Sequence, residues 1–245
     1  MKPGLPRIAP RIWRSPESDF YGDEILHAGD VYSDEVLGRI REEGFDGIWL
    51  RGQLYDLIAS KIFPELNRPR AQTRRAQLRT VIRRGQKHGV GVWLFFNEPL
   101  AIPSAHPFWR AHPEVKGASS ADPFANAAWS RDARMRRDLQ APSKGPMAMT
   151  ALCTSTSLGR RFFQEAVEQV LRETEGLEGV ILITASEFFS HCWSHHVARP
   201  TGDVYRPMSA RALDCPRCRA RGAAAGVLDL LGIWRAAARK LRKPP

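Results

Sequence analysis

Apolar positions along this chain fall into two alternating periods. VGVWLFF (residues 90–96) is a continuous apolar run between a glycine and Asn-Glu-Pro, the pattern of a strand covered on both faces of a sheet. GIWLRG (47–52) and VILITA (180–185) are shorter runs of the same kind, and RIAPRIW (7–13) alternates apolar and polar residues. Between these runs the period becomes helical. Ser33, Asp34 and Glu35 supply an N-cap and first-turn acids to VLGRIREE, which Gly44 ends. TRRAQLRTVIRRGQKHG stops at Gly89. In SLGRRFFQEAVEQVLRETEG, Phe162, Ala166, Val170 and Leu171 share a face, and GVLDLLGIWRAAARKLRK gives a fourth helix.

Four strand-then-helix units predict a parallel sheet of right-handed βαβ connections. The expectation is an α/β fold, a (β/α) barrel of the TIM type with about four βα units present, as one domain over residues 1–245. Long loops follow strands three and four, the first of roughly sixty residues. They leave the C-terminal edge of the sheet, where parallel α/β folds place their sites. A complete eightfold barrel takes about 250 residues, but here the loops consume that length. Four units leave an open sheet edge, so the expected partner is a C-terminal barrel half or a second copy of the chain.

The candidate chemistry sits at the strand ends. Glu98, in Asn97-Glu98-Pro99, closes the third strand, and Glu187 closes the fourth. Phe188, Phe189 and Trp193 follow Glu187; aromatic walls raise a carboxyl pKa and suit it to general-acid work near neutral pH. Two such carboxylates are the machinery of glycoside hydrolysis. Arg51, Asn97, His106 and Trp193 add hydroxyl-binding and stacking groups of the kind a sugar needs. The competing reading of each is an ordinary loop residue.

Cys192, His195, Cys215 and Cys218 form a candidate zinc knuckle over residues 188–222, with the CPRC spacing as its anchor and His196 as an alternative to His195. Such a closed site organises a loop and does not activate water. The competing reading is buried thiols and surface histidines without metal. Cys153, in ALCTSTS, reads as a small buried residue.

Composition changes the picture in two ways. A net charge of +11 raises a zinc-stabilised, basic nucleic-acid-binding protein as the alternative function. The densest run, RPRAQTRRAQLRTVIRRGQKHG, carries Ala76, Leu78, Val81 and Ile82 as an apolar stripe, so its arginines are expected on a solvated helix face. No apolar run approaches the ~18 residues of a membrane span, and the proline-rich start lacks a signal-like core. A cytoplasmic location is expected, with reduced cysteines.

Taken in order, GIWLRG, GVWLFFNEP, HPFWRAHPEVKG, ALCTSTS, GVILITASEFFSHCWSH and CPRC resemble bacterial proteins whose barrel is similar to the catalytic domain of family 20 glycoside hydrolases, the β-N-acetylhexosaminidases. The resemblance runs from about Arg7 to Leu241 and covers the first half of that barrel. It implies a glycosidase in which Glu187 is the general acid and Arg11 grips sugar hydroxyls. That family places an aspartate before the acid to support the substrate's acetamido group; Ser186 stands there in this chain. The residues drawn from strands five to eight have no counterpart, which leaves a non-catalytic barrel fragment as a further reading.

Overall fold

The computed structural model describes residues 10–14, 23–96, 101–120, 147–184, 189–193 and 215–241. Among these residues it is a mixed α/β protein with two sheets. The parallel one has the order β1 (Ile12–Trp13), β2 (Gly47–Arg51), β3 (Gly91–Phe96) and β7 (Gly179–Leu182). Strands therefore add in chain order to one side only.

Helices α1 (Asp34–Glu42), α2 (Ala71–His88) and α3 (Ser157–Glu173) make the crossovers, and α5 (Ala223–Leu241) follows the last strand. Their ends are set locally. The Ser33 hydroxyl accepts from Val36 N–H at 3.2 Å and the Thr156 hydroxyl from Gly159 N–H at 3.1 Å, each filling an orphan donor of a first turn. Gly89 closes α2 at φ 66°, a conformation a side chain resists.

One face of the parallel sheet is deeply covered and the other only partly. Ile48, Leu50, Val92, Leu94 and Phe96 are buried, and α5 lays Trp234 on Phe96 and Phe163, with ring centroids 5.4 and 6.5 Å away. The opposite face carries Trp49, Trp93, Phe95 and Ile181, all half-buried. The apolar run of β3 thus reflects a deeply covered side and a partly covered one, rather than two equal covers.

The expected first strand over 7–13 is described only from residue 10, where Ile12–Trp13 pair with β2, and residues 7–9 lie outside the described residues. Two expectations change. The sixty-residue connection holds a second sheet, antiparallel, in the order β4 (Ile102–Pro103), β6 (Met149–Leu152) and β5 (Lys116–Ser120). Its central strand is fully buried, and Thr150 satisfies its hydroxyl with Ser104 at 2.8 Å and Ser119 at 2.9 Å.

The arginine-rich helix is also less solvated than its composition suggests. The buried stripe of α2 is Ala71, Arg74, Arg75, Leu78, Val81, Ile82 and Gly85, while Ala76 is exposed. Arg74 holds Asp23 through three hydrogen bonds of 2.7 to 3.1 Å, and Arg75 pairs with Glu173. Arginines fill core positions there because carboxylates from other segments reach in to meet them. No described helix is long and apolar enough to cross a membrane.

Candidate metal centre

Four cysteines converge at the C-terminal edge of the parallel sheet. Because α3 must run back to the N-terminal edge to start β7, its first turn lies at the C-terminal edge, and Cys153 precedes that turn. Cys192 follows β7. Cys215 and Cys218 flank and open the short helix α4 (Pro216–Arg221), just before α5. The ion pairs Arg160–Asp229 and Lys240–Glu168 show that α5 runs alongside α3 in the same direction, which brings its start to the same edge.

All four sulfurs are buried and lie within 4.8 Å of one another. Cys153 Sγ is 3.7 Å from Cys215 Sγ and 3.6 Å from Cys218 Sγ. A tetrahedral ion with metal–sulfur bonds of 2.3 Å sets its ligands about 3.8 Å apart, so this spacing needs little adjustment to close on a metal.

The surroundings favour thiolate. Ala118 N–H donates to Cys192 Sγ at 3.3 Å, and the Ser155 hydroxyl lies 3.3 Å from Cys218 Sγ. Arg217, inside the CPRC motif, donates to Cys153 and also to Lys116 carbonyl oxygen at 2.5 Å. The Cys153 thiol is held far below its ordinary pKa because Cys192, Cys215 and Cys218 donate to it, with Arg217 helping. Donation to Cys153 in turn pushes Cys192 and Cys218 up. Cys153 pushes the Cys215 thiol up, but donation from Cys192 and Cys218 outweighs it and brings that thiol down to about 7; sulfurs that deprotonate this readily at this spacing suit a soft cation.

Glycine makes the room. A β-carbon at Gly117 would stand 2.6 Å from both Cys192 Sγ and Ala151 carbonyl oxygen, and one at Gly159 would stand 2.4 Å from Cys153 carbonyl oxygen.

The expected ligand set is present among the described residues in three members. Cys192, Cys215 and Cys218 are brought together, the fourth sulfur is Cys153, and His195 lies outside the described residues. Cys153 is buried, as its sequence context suggests, but not inert in placement. Its ligand-like position was hidden because it depends on β6, a four-residue strand with no periodic signature.

The candidate carboxylates Glu98 and Glu187, with Asn97, lie outside the described residues. Their flanks do not. Phe96 and Leu182 are register partners on neighbouring strands, and Ile183 N–H donates to Phe96 carbonyl oxygen at 2.9 Å. The two segments therefore leave the sheet side by side.

The loop that carries Glu187 is closed at its base. His191 Nε2 donates to Thr184 carbonyl oxygen at 2.6 Å, while Nδ1 accepts from Trp193 N–H at 3.2 Å. Burial lowers the His191 pKa to about 4 against the pull of the Thr184 carbonyl, so the ring is neutral and its tautomer is fixed. Cys192 is the next residue.

The remaining candidates scatter. Arg51 is buried at the end of β2, its N–H donating to Glu24 at 2.8 Å. Arg11 stands before β1, at the N-terminal edge, with its guanidinium against Gly44 and Asp46, so it is not at the rim. Arg14 holds the C-terminal end of that strand, 4.2 Å over the Trp49 ring and paired with Glu24 at 3.1 Å. His106 is buried in the second sheet's excursion, where Nδ1 accepts from Phe108 N–H at 3.2 Å and burial lowers its pKa. Trp193 packs against Gly226 of α5.

No protein-family model matches the chain, and no curated protein matches it. What fold and site define is a mixed α/β protein with a sequentially ordered parallel sheet and a tetracysteine centre at its C-terminal edge.

Proposed function

We propose that this chain is a carbohydrate-active domain of glycoside hydrolase type, four βα units of a TIM-type barrel whose rim is locked by structural zinc. The observation that carries the proposal is the closure of the Glu187 loop, bonded at its base through Thr184 and His191 and followed at once by Cys192 of the sulfur cage. A general acid must be held at a fixed distance from the glycosidic oxygen, and the described residues on either side of Glu187 are bonded to each other.

In this reading Glu187 protonates the leaving oxygen, and Glu98, from the neighbouring strand end, orients a substrate hydroxyl. With Ser186 in the preceding position, assistance by an acetamido group has no carboxylate to support it. An all-thiolate set favours zinc over harder cations and leaves no open coordination position, so the metal holds the rim and takes no part in bond cleavage.

The nucleic-acid alternative is weakened by the internal use of the basic run, since Arg68, Arg74 and Arg75 are buried and paired with Asp56, Asp23 and Glu173. The test is a screen of chromogenic glycosides with zinc-loaded protein, alone and as any larger assembly it forms. Glu187→Gln is expected to abolish the turnover found while zinc content stays at one per chain. Unchanged turnover in that variant rejects the assignment, and an absence of both turnover and glycan binding across the screen rejects the function.

A further inference from the structure

Among the described residues the parallel sheet ends in two edges, and each carries a groove. At the β1 edge a groove of about 670 Å³ is lined by Trp13, Val36, Phe45, Glu35 and Glu42. At the β7 edge one of about 440 Å³ runs between the strand and α5, past Val180, Trp234, Arg235 and Ala238. β7 reads Gly-Val-Ile-Leu, half-buried throughout, with neither the lysine nor the proline that ordinarily protects a sheet edge.

Both grooves hold exposed acids, Glu35 and Glu42 at the β1 edge and Glu175 and Glu178 at the β7 edge, but the helices that wall them differ in unpaired charge. Glu35 and Glu42 on α1 are exposed and make no ion pair among the described residues, and the same holds for Arg235 and Arg239 on α5. Above those arginines, α5 exposes Leu228 at 66% and Leu231 at 39%, the large apolar side chains most open to solvent among the described residues.

We infer that the edges fit each other, so that a second copy of this chain docks β7 beside β1 and closes an eight-stranded barrel. The inference rests on the barrel reading given above. Strand direction permits it: a twofold axis parallel to the strands keeps all of them parallel and forms two identical junctions at once, leaving no free edge. Strand number permits it too, since two sets of four strands make the eight at which side chains just fill a barrel.

Helix direction then aligns the chemistry. Both α1 and α5 start at the C-terminal edge, so at each junction they lie side by side in the same sense. Leu228 and Leu231 of one copy meet the apolar wall of Trp13, Val36 and Phe45 on the other. Further down, Arg235 and Arg239 meet Glu42. The half-exposed aromatics Trp49, Trp93 and Phe95 would line the shared interior.

The test is the mass of the zinc-loaded full chain in solution by sedimentation, across a concentration series. A dimer is expected. Arg235→Glu with Arg239→Glu should raise its dissociation constant about tenfold or more, because paired charges become repelling ones. Adding Glu42→Arg should restore it, and Leu228→Glu with Leu231→Glu should leave monomer. Circular dichroism and zinc content monitor folding in every variant. A folded wild-type monomer, a ladder of growing oligomers, or a dimer indifferent to the charge exchange overturns the inference. Glycoside turnover is read separately, so an inactive dimer sinks the function and spares the interface.

Discussion

At the scale of single residues, the sulfur cage makes the sharpest claim, because Cys153 and His195 compete for one position. If Cys153 is the fourth ligand, Cys153→Ala should lose stoichiometric zinc and lower the thermal midpoint, whereas His195→Ala should keep one zinc per chain. Metal analysis of the two purified variants decides this, and zinc retained by Cys153→Ala would remove it from the centre. A second residue-scale claim concerns Trp93. Its indole spans the neighbouring strand, where a β-carbon at Gly179 would stand 2.4 Å from the ring. Gly179→Val should therefore cost about 1–3 kcal/mol by overpacking. Combined with Trp93→Leu the cost should be far from additive; equal costs in both backgrounds, measured by denaturant unfolding, would refute the contact.

At the scale of elements, what was legible in the sequence follows from what is local. The caps at Ser33 and Gly89 and the apolar run of β3 are signals carried by adjacent residues, and the structure contains the elements they mark. The second sheet carried no such signal, because β4 has two residues and β6 four, and their pairing crosses more than forty positions. Cys153 was obscured for the same reason, since its neighbours in space come from Cys192, Cys215 and Cys218, far along the chain. Helix α2 misled differently. Periodicity located its stripe, but residue type argued that Arg74 and Arg75 belong in solvent, and only distant carboxylates make their burial tolerable. Arg74→Ala should thus behave as the loss of a buried ion-pair partner, costing about 3 kcal/mol by leaving Asp23 without its guanidinium. Arg74→Lys should recover only part of that, since an ammonium cannot reproduce the forked contact. A loss under about 0.5 kcal/mol, the range of surface substitutions, would show that the pair contributes as an exposed one.

At the scale of the whole molecule, the four sulfurs bring together the end of β6, the loop after β7 and the start of α4. Helices α1 and α2 lie elsewhere, packed on each other and, through α2, on β3, with Leu37, Ile40, Leu78 and Val81 buried. Binding energy at a structural zinc is folding energy for whatever the ligands hold together. Removing the ion should therefore loosen one part of the chain and not the other. Chelation of the zinc-loaded protein is expected to raise amide exchange together in residues 147–157, 189–193 and 215–222, with β3 and α2 keeping their protection. Trp234 and its neighbours Phe96 and Phe163 should hold α5 in place, because that contact does not pass through sulfur. The loop bearing Glu187 sits between Thr184 and Cys192, so any glycoside turnover should fall in the same chelator range as the local exchange rises. Turnover that survives while exchange increases would separate the clamp from catalysis, and a uniform rise in exchange across α1 and α2 would make the metal a determinant of the entire fold rather than of its rim.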